Sequence, residues 1–262
     1  MKIFKNEIIT EVYLFRNVLE QLVMQQLTLR YRRTFLGFFW TLLSPLLTMI
    51  ITTFIFSSFM GMDIQSFAVY FFSGLMAWNC FNNTVTQSCS SFVSNESLIR
   101  KIYLPKILFP LSNSIAVFID SVLCFIALYL LVYAISNEIS FVILFIPLAY
   151  IILFIFSFGI ALVFSVVNVF FRDLQYVIGI VMQAWFFLTP VMYKINGVSP
   201  KTAEIINLNP VVHFINLFRE PLYFNRMPNF DIIATCIIYS FISLIIGITI
   251  YHKFKNKIIY RL

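Results

Sequence analysis

Few side chains in this sequence could carry out covalent chemistry, and those few do not cluster. The histidines, His213 and His252, stand far apart, and no H-E-x-x-H run exists. There is no G-x-S-x-G elbow, and none of the 7 glycines belongs to a G-x-x-x-x-G-K-[ST] phosphate loop. A lipid-dependent transferase would need paired carboxylates in an outer loop, where Asp63 stands alone in the first turn. Cys80, Cys89, Cys124 and Cys236 lie in or beside apolar runs without C-x-x-C spacing, as small core residues do. Catalysis, a bound metal and a cofactor held by this chain are therefore not expected, and any ATP must be bound by another polypeptide.

What remains is chemistry of recognition. Arg30, Tyr31, Arg32 and Arg33 form a cationic cluster before the first long apolar run. Asp120 is the one acid deep within such a run, where a charge costs several kcal/mol unless paired, hydrated or protonated. It reads as a structural acid bound by polar side chains of neighbouring spans, with an ion relay or substrate contact as the alternative. Asn82, Asn83 and Gln87 belong to a polar stretch that cannot face lipid and must meet other helices or water. Glu96, Leu98, Ile99, Arg100, Lys101, Ile102 and Tyr103 form a short amphipathic segment suited to docking in a partner's groove.

The elements that position these residues follow from composition. Of 262 residues, 61% are hydrophobic and 11% charged, against roughly 45–50% and 25% in soluble domains, so lipid must be the solvent. A crossing helix needs about 20 apolar residues. Six spans are predicted, at 37–60, 66–92, 109–133, 141–171, 174–192 and 232–251. Residues 14–34 carry an apolar stripe through Phe15, Val18, Leu19, Leu22 and Val23, and predict a helix lying on the membrane surface. Domain organisation follows: 1–36 interfacial, 37–252 transmembrane, 253–262 a basic tail.

Asp63 and Glu138 mark outer turns and Arg172-Asp173 an inner one. Between the last two spans, Ser199-Pro200 and Asn209-Pro210 each set a capping side chain before a proline, predicting short helices at 200–207 and 210–223. Too short to cross, they are expected to dip into the outer leaflet as a re-entrant pair. With both ends inside, only Lys194, Lys201, Arg219 and Arg226 fall outside, and every other Lys and Arg lies on the cytoplasmic side. That asymmetry is the positive-inside pattern, and it explains the net charge of +7 without nucleic acid.

Five stretches in order resemble the polysaccharide-exporting type-2 ABC permeases. Leu29-Arg-Tyr-Arg-Arg-Thr-Phe-Leu-Gly-Phe-Phe-Trp, continuing to Pro45, is similar to their N-terminal motif, and Leu98 to Pro110 to their coupling-helix region. Phe170-Phe-Arg-Asp-Leu, Leu188-Thr-Pro-Val-Met-Tyr and Asn209-Pro resemble later landmarks. The resemblance implies a homodimer in the bacterial inner membrane with two copies of an ABC ATPase, which holds ATP and magnesium. It implies that the segment from Glu96 to Tyr103 couples to that ATPase. It further implies that Arg30, Tyr31, Arg32 and Arg33 meet the diphosphate of a polyprenyl-linked polysaccharide, O antigen first among the polymers. Phe39, Trp40, Trp185, Phe186 and Tyr193, with Asn82, Asn83 and Gln87, are the channel-lining candidates. Capsule, teichoic acid or drug export stays open as an alternative, and an intramembrane sugar transferase is the rival of another class.

Overall fold

The computed structural model describes residues 8, 10–32, 35–37, 39–61, 63–136, 141–195 and 199–262. Among them the fold is all-helical. The elements, in chain order, are α1 (Arg16–Tyr31), α2 (Phe39–Met60), α3 (Ile64–Cys89), α4 (Ser91–Ser94), α5 (Glu96–Lys101) and α6 (Leu108–Ser136). A 3-10 turn (Phe141–Phe145) leads into α7 (Ile146–Phe170), followed by α8 (Leu174–Leu188), α9 (Pro200–Asn207), α10 (Pro210–Leu222), α11 (Phe230–Phe254) and α12 (Ile258–Arg261). Among the described residues, four segments are long and apolar enough to cross a membrane: Phe39–Phe59, Leu108–Leu130, Phe141–Phe170 and Phe230–Phe254.

The two other predicted spans take different forms. Helix α3 has 26 residues, enough to cross, but its polar second half lowers its hydropathy. Helix α8 has only 15 residues and stops at Leu188, short of the predicted Met192. Pro190 explains the stop: it pushes Thr189 into an extended conformation at φ −108 and ψ 130. Arg33 and Glu138 lie outside the described residues.

Local capping sets several boundaries. The Asp63 carboxylate accepts from the Gln65 and Ser66 amides at 3.1 and 3.4 Å, starting α3 at Ile64. Ser199 Oγ accepts from Thr202 N at 3.4 Å and Asn209 Oδ1 from Val211 N at 3.0 Å, each ahead of a proline in the first turn. Both short helices stand where these caps predict them.

Helix α3 lies at the centre, packed by α6, α7, α10 and α2. Its buried aromatics Phe67, Phe71, Phe72 and Phe81 form the middle of the larger core. Helices α7 and α11 make the most extensive helix–helix contact among the described residues, because small residues line their seam. Ser240 and Ser243 donate to the Ile152 and Phe156 carbonyls at 2.9 and 2.7 Å, and Gly247 stacks on Gly159. A second, smaller core gathers Leu22, Phe92, Ile99, Leu162, Val166 and Tyr251, joining α1, α5, α7 and α11 at one end of the bundle.

Candidate functional site

A cavity of about 460 Å³ opens between α2, α3, α6 and the end of α1. Its polar lining follows helical spacing. Asn79, Asn83 and Gln87 fall four residues apart on α3, while Thr41, Ser44 and Thr48 share a face of α2. Helix α6 adds Asp120 and Ser121, Trp40 stands at the start of α2, and Leu75, Met76 and Cys124 supply apolar wall. The Arg30 guanidinium, at the end of α1, donates to the Asp120 carboxylate and to the Gln87 side-chain carbonyl. Asp120 is buried and Arg30 partly buried, so the ion pair is shielded. Gln87 is held in turn, its backbone carbonyl accepting from Asn113 Nδ2 at 3.1 Å.

This arrangement brings together Arg30, Trp40, Asn83, Gln87 and Asp120 of the residues singled out from the sequence. Asn82 does not line the cavity, and Phe39 and Arg32 are exposed on the surface. Trp185 and Phe186 sit apart, against Phe81 and Trp78. Trp185 Nε1 donates to Asn209 Oδ1 at 3.0 Å, and Asn209 Nδ2 donates to Thr189 Oγ1 at 2.8 Å, tying the end of α8 to the start of α10. The Tyr193 backbone carbonyl accepts from the Tyr70 hydroxyl at 2.8 Å. The hydroxyls of Thr41, Ser44 and Thr48 escaped the sequence analysis, though their recurrence on one face of an apolar helix is a readable signal.

Arg219 also went unrecognised. It is 5% exposed, donates to the Pro190 and Val191 carbonyls at 3.0 and 3.2 Å, and stacks on the Tyr70 ring. Gly74 leaves it room, since a Cβ there would lie 2.9 Å from its guanidinium.

The segment from Glu96 to Tyr103 forms a second feature at the end of the bundle. Only residues up to Lys101 are helical; Ile102 is extended. The face predicted for Leu98, Ile99 and Ile102 is consequently split. Ile99 is 7% exposed and belongs to the smaller core, whereas Ile102 and Tyr103 are 53% and 90% exposed. Leu98 is partly buried against that core, and Arg100 and Lys101 are exposed. Glu96 binds Arg100 at 2.8 Å and Arg172 at 3.8 Å, and Arg172 donates to the Leu262 carbonyl at 2.9 Å. The helix is thus tied to the α7–α8 turn and, through it, to the last residue. Lys106 Nζ donates to the Lys255 carbonyl at 2.8 Å. Burial, reinforced by the Lys255 charge, lowers the Lys106 pKa below the usual lysine value, while Glu11 works the other way.

Among the described residues, no three His, Cys, Asp or Glu side chains converge as a metal site. The geometry offers helix surfaces, a polar cavity and a tethered short helix. Sequence comparison identifies what such a set belongs to: the family profile described as ABC-2 type transporter matches residues 17–223, from α1 through the end of α10. The chain belongs to the ABC-2 type transporter family.

Its relatives agree along nearly the whole length. The O-antigen export system permease protein RfbA of Klebsiella pneumoniae is 33% identical over 248 residues, covering 94% of each chain. RfbA of Myxococcus xanthus is 29% identical over 224 residues, 85% of this chain and 86% of its own. The polysialic acid transport protein KpsM of Escherichia coli is 26% identical over 247 residues, 88% of this chain and 91% of its own. As an ABC-2 type transporter chain, this protein is a multi-pass membrane subunit of a transporter and not a catalytic enzyme, and its family implies an ATPase partner.

Proposed function

We propose that this chain is the permease of an ABC exporter that carries a polyprenyl-diphosphate-linked polysaccharide, O antigen, across the bacterial inner membrane. The observation that carries the reading is the 33% identity to an O-antigen export permease across 94% of both chains. The polysialic acid transport protein KpsM and the capsule polysaccharide export inner-membrane protein CtrC of Neisseria meningitidis share less identity, which favours O antigen over those polymers.

In this reading α2, α3, α6, the Phe141–Phe170 segment, α8 and α11 are six spans with both termini in the cytoplasm, supported by the cation bias of the sequence. Helices α9 and α10 form the re-entrant outer pair. Two copies of the chain associate, each with one ATPase that binds ATP and magnesium. The exposed Ile102 and Tyr103, beside Arg100 and Lys101, meet the ATPase; Glu96 relays its movement to the α7–α8 turn through Arg172. Tyr31, Arg32 and Arg33 are the proposed ligands of the lipid diphosphate, on the strength of the cationic cluster in the sequence. The guanidinium of Arg30 is already engaged by Asp120 and Gln87, so its part is to brace the cavity wall. Phe39, Asn82, Trp185, Phe186 and Tyr193 remain candidates for the path of the polymer.

Deleting the gene and probing the cell surface for the polysaccharide tests this. Loss of surface polymer with lipid-linked polymer accumulating inside, both reversed by the plasmid-borne gene, is expected. Unchanged surface polysaccharide would overturn the assignment.

A further inference from the structure

The lining of the cavity between α2, α3 and α6 is selective in its chemistry. Its volume of about 460 Å³ falls in the roughly 300–1,000 Å³ range of small-ligand pockets. The charged groups lining it among the described residues are Arg30 and Asp120, and each neutralises the other. An arriving diphosphate would have to pull Arg30 away and strand a buried carboxylate, which is strongly unfavourable. An apolar guest would leave the Asn79 and Asn83 amides and the Gln87 side-chain N–H groups without a partner in the guest, although the Gln87 carbonyl already accepts from Arg30. A guest that both donates and accepts at several points, and has an apolar face, meets neither penalty. Amides and hydroxyls pair with such a guest in either direction, and Trp40 offers an aromatic surface beside them.

We propose that this cavity is a saccharide-binding subsite within a single protomer, which takes an uncharged sugar unit of the cargo and excludes its diphosphate. Asn79, Asn83 and Gln87 bind sugar hydroxyls, and Trp40 covers the apolar face of the ring. Arg30 and Asp120 are positioning residues: their pair fixes the Gln87 amide and keeps the cavity electrically neutral. The inference rests on the polysaccharide reading given above.

The test uses the permease with its cognate ATPase in lipid nanodiscs. The probe is an oligosaccharide cut from the polymer, free of lipid and phosphate, observed by saturation-transfer NMR. Binding to the unaltered complex is expected. Trp40→Ala should weaken it about tenfold, as loss of an aromatic stacking partner does. Ser44→Phe, at an exposed position on the cavity rim, should abolish it while leaving the thermal midpoint unchanged. Equal binding by both variants and the unaltered complex would overturn the proposal, as would displacement of the oligosaccharide by inorganic pyrophosphate. Absence of binding in a complex that still exports polymer would remove the subsite and leave the function standing. A complex that exports no polysaccharide would remove the function itself.

Discussion

The guanidinium of Arg219 lies 3.8 Å from the centroid of the Tyr70 ring, and the same side chain donates to two successive carbonyls at Pro190 and Val191. One side chain of α10 therefore holds both α3 and the turn that ends α8. Lysine cannot reproduce a planar group that stacks and donates twice. Arg219→Lys should cost about 2 kcal/mol, and Arg219→Met more, because the two carbonyls lose their donor. Thermal unfolding of the purified protein checks both. A midpoint unchanged in Arg219→Lys would show that the turn does not depend on this clamp.

The Arg30–Asp120 pair makes a different prediction. Removing only one partner leaves the other charge in a poorly solvated place, at a cost of up to about 3 kcal/mol, since Arg30 is partly exposed. Asp120→Leu and Arg30→Met should each lower folded yield. The double variant should recover most of the loss, because no buried charge is left behind and the Gln87 carbonyl, a neutral group, is what loses a donor. Additive losses in the double variant would mean that the residues act independently.

How much of this was legible beforehand depended on the range of the interaction. The caps at Ser199 and Asn209 involve neighbours two or three residues away, so sequence chemistry alone placed α9 and α10. Arg30, which binds Asp120, is separated from it by 90 residues, and nothing local to either side chain names the other. The polar half of α3 showed that Asn83 and Gln87 avoid lipid, yet not which helices they would face. The split between Ile99 and Ile102 was hidden for a related reason. Helical spacing puts them on one face, but the helix ends at Lys101 and the chain turns away.

That split decides how the coupling segment must be tested. Ile99→Asp would place a carboxylate in the smaller core, costing several kcal/mol, and should remove the protein from the membrane. Ile102→Asp and Tyr103→Asp alter exposed side chains and should leave the amount of permease unchanged. In those two variants ATP hydrolysis by the complex should become independent of transport, and surface polysaccharide should fall at least severalfold. Immunoblotting beside the ATPase assay separates the cases. Export at the normal rate in the Ile102 and Tyr103 variants would exclude this surface from coupling.

The seam between α7 and α11 gives the sharpest contrast between two glycine positions. A Cβ on Gly247 would sit 2.5 Å from the Gly159 carbonyl oxygen, a backbone atom that can move only if the helices separate. Separation would also stretch the bonds from Ser240 and Ser243 to the opposing carbonyls. Gly247→Ala should therefore destabilise by about 1–3 kcal/mol, as overpacking does. Gly179 on α8 has no atom within 4 Å of an added Cβ, so Gly179→Ala meets no clash in the isolated chain and should gain up to about 1 kcal/mol from helix propensity. The two substitutions add the same methyl group, so opposite shifts in thermal midpoint isolate the packing of the seam. A shift of the same sign in both would show that the helices are free to part there, and that the serine bonds do not hold them together.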